Sequence, residues 1–201
     1  YKGCMAGSLA DAGCTSFFPA KPLGCYGDGG MIFTNDGATA ETVKSLRVHG
    51  AGEHKYEHIR IGTNSRLDTL QAAILLAKFK YFSKEIDLRN QIAEYYTQHL
   101  KDHFKTPQVL SFNWSVYAQY NILVDNRDDL QNSLKERQIP TAVYYPKPLH
   151  LQPAYADLGY TRGDFPVTEN VCEHILALPM HPFLKKDEQD FIIQQMKAVS
   201  S

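Results

Sequence analysis

The sequence predicts an α/β chain, and three stretches carry that reading. Cys14 to Thr34 reads as strand, tight loop, strand, closed by the breaker Asn35-Asp36-Gly37. Ser65 to Thr106 contains no glycine or proline and carries apolar residues at helical spacing. From Gln108 onward short β-prone runs alternate with helical ones, the pattern of an α+β lobe.

Taken in order, Tyr1 to Gly13 is rich in glycine and alanine without a period and is expected to be loop with a loose end. The hairpin has a short apolar and aromatic first arm ending at Phe17-Phe18 and a second arm from Met31 to Thr34. Ala38 to Val48 is expected to be a helix stopped by His49-Gly50, with Arg47 and His49 complementing its negative end. Gly62-Thr63-Asn64 is a polar turn, and Ser65 followed by Asp68 suggests a capping box. A very long helix should follow, with Leu67, Leu70, Ile74, Ala77 and Tyr81 forming its stripe and Lys84-Glu85 and Arg89 marking a more exposed later half. Beyond it, 109–112, 116–124 and 141–145 read as strands, and 128–138, 168–175 and 186–199 as helices. Leu176 to Leu178 adds a short strand, while Pro146 to Pro153 is a proline-stiffened loop that no sheet interior could hold.

Composition narrows the function classes. The 201 residues carry a formal net charge of -1, which gives no footprint for nucleic acid or an anionic membrane surface. No apolar run reaches the roughly 20 residues needed to cross a bilayer, and no signal-peptide pattern is present, so a cytoplasmic location is expected. Cys4, Cys14, Cys25 and Cys172 lack paired spacing, so neither a zinc site nor a disulfide framework is expected, and no metal is assigned. The glycines of 24–30 match neither a P-loop nor a dinucleotide fingerprint.

Lys21 is the residue with the most chemistry to offer. Pro19 and Pro22 fix two φ angles beside it, so its backbone is stiff. Pressed against Phe17 and Phe18, such a lysine would be partly desolvated, which frees its amine as a nucleophile toward a carbonyl. Ser16 could offer a hydroxyl to a phosphate, and the neighbouring glycines let backbone approach a planar ligand. A solvated loop lysine is the alternative.

Thr15 to Gly24 together with Gly27-Asp28-Gly29-Gly30 resembles the lysine segment of the pyridoxal-phosphate-dependent nucleotide-sugar aminotransferases of the DegT/DnrJ/StrS type. Leu46 to Gly50, Ile61 to Ala73, Tyr145 to His150 and Leu178 to Pro182 resemble that family's further landmarks in the same order. The resemblance implies the fold-type I aminotransferase architecture, with 1–80 as the C-terminal portion of the cofactor-binding large domain and 81–201 as a small α+β domain. It implies pyridoxal 5'-phosphate carried by Lys21 as a Schiff base, with Ser16 and, from a partner subunit, Asn64 on the cofactor phosphate. Arg66, Tyr145 and His150 would meet the substrate. The family's ring-stacking aromatic and its acid for the pyridine nitrogen would lie upstream of Tyr1. Within the family the chain looks most like enzymes that aminate a UDP-linked 3-keto-N-acetylglucuronic acid, with glutamate as donor, for bacterial surface polysaccharides such as O-antigen lipopolysaccharide. A homodimer with shared sites is implied, without nucleic-acid or membrane partners. Tyr144, where the uronic-acid branch often has histidine, departs from the pattern, whereas retention of Lys21 separates the chain from the dehydrating branch. A non-catalytic or regulatory member, or an inactive C-terminal fragment, is the alternative.

Overall fold

The computed structural model describes residues 1–199. The chain forms two compact units, residues 1–84 with 110–114, and residues 85–109 with the chain from 115 onward.

The first unit holds a two-stranded antiparallel ribbon, β1 (Ala12–Ser16) and β2 (Gly30–Thr34), registered Ala12 to Thr34 and Ser16 to Gly30. Phe17 and Phe18 fall outside β1, because the Phe17 N–H turns to Gly29 O (2.8 Å) and starts the loop instead. Helix α1 (Gly37–Leu46) opens on Asp36, whose carboxylate accepts the Thr39 N–H at 2.7 Å. Hydrogen bonding from Thr39, its side chain first and then this N–H, holds the Asp36 carboxyl below its ordinary value. The helix ends two residues before the sequence suggested. His49 (φ 60) and Gly50 (φ 74) are left-handed there, and a Cβ on Gly50 would lie 1.8 Å from Arg60 O, so only glycine fits.

Helix α2 (Thr69–Leu100) runs 32 residues without a break, and the division between the units falls within it, after Lys84. It starts at Thr69 rather than Ser65. The Ser65 hydroxyl meets Thr63 Oγ1 at 2.7 Å instead of capping, and Asp68 O receives the first helical N–H, from Ala72. In the first unit only Leu75 of α2 is buried, packed with Phe17 and Cys25.

The second unit pairs β3 (Tyr120–Leu123) antiparallel with β4 (Ile175–Leu178) and covers the pair with helices α3 (Arg127–Glu136), α4 (Pro166–His174) and α5 (Lys186–Val199) together with the later half of α2. Tyr96, Leu100, Tyr120, Ile122, Leu134, Leu176 and Met196 are fully buried, each large apolar side chain contributing roughly 1.5–3 kcal/mol. The Tyr96 hydroxyl donates to Pro179 O at 3.1 Å, and Tyr120 OH meets Thr97 Oγ1 at 2.8 Å, which satisfies both phenols in an apolar core. Burial pushes the Tyr120 phenol up to about 12.

Two expectations fail here. Arg89 is buried, its Nη1 donating to Tyr117 O (3.1 Å) and Met180 O (3.4 Å), so the later half of α2 is the more covered one. Residues 109–112 and 141–145 form no strands. The 109–112 run is loop, and of 141–145 only Ala142 touches the sheet, as a single bridge to Ala177. Residues 116–124 keep only Tyr120–Leu123 as strand, because Tyr117 takes φ 41, which no extended strand contains.

Candidate active site

The Lys21 loop is a closed structure. Cys25 N–H donates to Phe17 O (2.8 Å), and the single S–H of the fully buried Cys25 is shared between Phe17 O and Gly27 O, each 3.0 Å from Sγ. Lys21 N–H donates to Phe18 O at 2.8 Å, which sets a turn on the rigid Pro19–Pro22 segment. Gly24 permits the closure, since a Cβ there would stand 2.6 Å from Pro19 O and 2.7 Å from Phe18 O. Ser16 lies at the end of β1, its hydroxyl accepting the Phe18 N–H at 3.2 Å while the residue stays exposed.

Lys21 is itself exposed, and its ammonium has no hydrogen-bond or ion-pair partner among the described residues. Of the two aromatics expected beside it, Phe17 is buried in the core and Phe18 is 51% exposed. An unengaged amine on a rigid loop, with a serine hydroxyl five residues before it, nevertheless fits a group held covalently through a carbonyl and by a phosphate.

Asn64 and Arg66 come from one excursion of chain, residues 47–66. His49 N–H donates to Thr63 O (2.9 Å), Thr63 N–H to Leu46 O (2.8 Å) and Ser65 N–H to Arg47 O (2.9 Å), and Val48 bridges Asn64. The excursion is thus fastened to the end of α1. Arg66 Nε donates to Asn64 Oδ1 at 3.0 Å, so these two exposed residues are brought together, with the Arg66 Nη groups unpartnered among the described residues.

Tyr145 and His150 belong to the second unit. Tyr145 is exposed beside Tyr144, their rings edge to face at 5.6 Å. His150 is not open to a ligand in the same way. Its side chain is 8% exposed, Nε2 lies 3.0 Å from Glu169 Oε1, and its ring packs on Phe165 at 4.7 Å. Glu169, on the first turn of α4, also accepts the N–H groups of Gly163 (2.9 Å) and Phe165 (3.3 Å). Burial pushes the Glu169 carboxyl up, but these N–H groups and the His150 ring outweigh it and hold it below its ordinary value.

The sequence reading missed Cys25, Gln71, Lys78 and Glu169. Gln71 Oε1 accepts the Tyr26 N–H at 2.8 Å, and Lys78 Nζ donates to Gly24 O at 2.5 Å, so both grip the lysine loop. Their spacing was the available signal: with Leu75 between them they fall on one helical face.

A family model for the DegT/DnrJ/EryC1/StrS aminotransferases matches residues 1–197. The chain is 50% identical over 185 residues to the UDP-2-acetamido-2-deoxy-3-oxo-D-glucuronate aminotransferase of Pseudomonas aeruginosa, covering 92% of this chain and 50% of that protein. Among solved structures, a DegT/DnrJ/EryC1/StrS aminotransferase from Brucella abortus superimposes with a TM-score of 0.94 at 47% identity, covering 100% of this chain and 54% of the other. DesV of S. venezuelae, solved with a ketimine intermediate, gives 0.95 at 32% identity, again covering 100% and 54%. The chain therefore spans about half the length of the relatives it matches. On sequence and on fold, it belongs to the DegT/DnrJ/EryC1/StrS family of pyridoxal-phosphate-dependent aminotransferases.

Proposed function

We propose that the full-length protein is an aminotransferase that moves an amino group from glutamate to a keto-sugar nucleotide, a UDP-linked 3-keto-N-acetylglucuronic acid, in the synthesis of bacterial surface-polysaccharide precursors. The observation that carries this reading is Lys21, an unengaged amine on a loop closed by its own backbone and by a buried thiol. The 50% identity to the P. aeruginosa enzyme supports the choice of sugar.

Lys21 would carry pyridoxal 5'-phosphate, with Ser16 and a partner subunit's copy of Asn64 on the phosphate. When bound, the cofactor supplies an electron sink for the carbon that loses its proton. Lys21 Nζ would then have two duties: to hold the cofactor at rest and to take and return that proton as general base. Arg66 suits a sugar carboxylate, because its two free Nη groups form a fork while Nε anchors it to Asn64. Tyr145 would lie over the nucleotide or sugar. His150, with Nε2 taken by Glu169, would contribute by fixing the loop that carries Tyr145. In this reading 1–80 complete a cofactor-binding domain and 81–201 form the small domain.

A homodimer with shared sites is part of the proposal. Leu70, Ala73, Ala77 and Tyr81 share one bare side of α2, and Leu76, Phe79 and Ile61, the last 99% exposed, are bare as well. An apolar face of this kind suits a second copy. The test is to incubate the full-length protein with glutamate, cofactor and the UDP-3-keto-uronate and to follow the amino sugar by mass spectrometry. Amino-sugar formation is expected, and its absence with this sugar but not with a neutral keto-sugar would move the substrate while leaving the reaction.

A further inference from the structure

Resting on the reading of Lys21 as the cofactor lysine, we infer that Gln71 and Lys78 are positioning residues that aim it, acting through the loop rather than on the cofactor. The loop 17–29 carries Lys21 at its outer turn, and its own closure runs through Phe17, Cys25, Gly27 and Gly29. That closure fixes the loop's shape but not its placement. Placement comes from one face of α2. Gln71, Leu75 and Lys78 stand four and then three residues apart, the spacing that puts side chains in one row.

Each of them holds a different part of the loop. Leu75, with Leu67 just before the helix, packs against Phe17, Cys25 and Leu23. Gln71 Oε1 takes the Tyr26 N–H at 2.8 Å, while its amide nitrogen stands against Gly27, where a Cβ would come within 3.2 Å of it. Lys78 Nζ donates to Gly24 O at 2.5 Å and sits 5.8 Å from the centre of the Tyr26 ring. Gly24 and Tyr26 therefore have a polar anchor on each side of the buried Cys25, and Lys21 begins three residues before the first of them. Neither Gln71 nor Lys78 need touch the cofactor for this to matter, because a misplacement of about 1 Å in a reacting group can reduce turnover on the order of 100-fold. The packed Leu75 alone fixes distance, not rotation; the hydrogen bonds fix the turn of the loop about the helix.

The buried Cys25 thiol provides a readout independent of activity. In the full-length holoenzyme, Gln71→Leu, Lys78→Met and the double variant are compared with Gln71→Glu, which keeps the acceptor for the Tyr26 N–H. Alkylation is followed cysteine by cysteine by mass spectrometry, with Cys172, buried in the second unit, reporting on global unfolding. The expected result is Cys25 modification accelerated roughly tenfold or more in the double variant with Cys172 unchanged, since each lost bond frees a local opening. With it, kcat should fall on the order of tenfold or more while KM for the sugar nucleotide changes little, and Gln71→Glu should stay near wild type on both readouts. Unchanged kcat, unchanged Cys25 reactivity, or parallel acceleration of Cys25 and Cys172 would each overturn the assignment. Lys21→Ala measured alongside separates the two ideas: a fully active Lys21→Ala variant ends the reading of Lys21, whereas an inactive one with silent Gln71 and Lys78 variants ends only this inference.

Discussion

An amine can serve as a covalent handle only if nothing else claims it, and Lys21 meets that condition among the described residues. Lys21→Ala in the full-length enzyme is expected to abolish turnover, measured by amino-sugar formation, and to abolish retention of the cofactor after borohydride reduction. Ser16→Ala should leave the chemistry and weaken cofactor binding by roughly 1.5–3 kcal/mol, the worth of a hydrogen bond to a charged group, measured by cofactor titration. Gly24→Ala should be more damaging to structure than its size suggests. Its methyl would meet two backbone oxygens under 3 Å away, which cannot swing aside as a side chain would. A loss of about 1–3 kcal/mol in thermal unfolding is expected from such overpacking. Glu169 gives a pH dependence of defined sign. Its carboxyl is held below its ordinary value, so its stabilisation is full above the ordinary carboxylate range and is lost as pH falls through the depressed value. Thermal melts from about pH 6 to about pH 3 should fall more steeply for the wild type than for Glu169→Gln.

At the scale of elements, the excursion 47–66 and the head of α2 decide what Arg66 can do. Arg66→Lys keeps the charge but loses both the bond to Asn64 and the fork. Its KM for a keto-uronate should rise far more than for the matching neutral keto-sugar, as comparison of kcat/KM for both variants on both substrates would show; an equal loss on the two would remove the carboxylate from the assignment. The elements themselves were legible where a period or a breaker dominated. Lys186 to Val199 forms α5 as expected, and Asn35-Asp36-Gly37 gives both the turn and the cap of α1. They were illegible where a tertiary contact overrode local preference. Val109 to Phe112 is β-prone yet lies as loop, with Phe112 O accepting the Lys2 N–H at 2.9 Å and Phe112 packed edge-on against Tyr1. Arg89 looked like a surface charge, since nothing in its neighbours announces that carbonyls 28 and 91 residues away will claim its guanidinium. Of the candidate site, Lys21, Asn64 and Arg66 were proposed from residue type and motif. The pairing of His150 with Glu169 could not, because it joins a proline loop to a helix that sequence spacing does not connect.

For the whole molecule, the proposed dimer makes each site depend on both chains, and that dependence is measurable. Lys21→Ala and Asn64→Ala, each deficient alone, should regain part of the activity when mixed and allowed to exchange subunits, because the heterodimer then contains one intact site. Sedimentation showing a fully active monomer would exclude it.

The later half of α2 also sets a schedule for synthesis. Ile92, Tyr96 and Leu100 are buried in the finished protein, but apart from β3 and α3 the residues that cover them come from the end of the chain: Tyr96 reaches Pro179 O, 83 residues on, and the Gln189 amide reaches Ile92 O, 97 residues on. A nascent chain therefore emerges from the ribosome with a complete helix whose apolar side stays wet until β4 and α5 have been made. Such a surface is what chaperones bind and what aggregates when they are short, so translation pauses between α3 and β4 should lower the yield of folded protein more than pauses before α2.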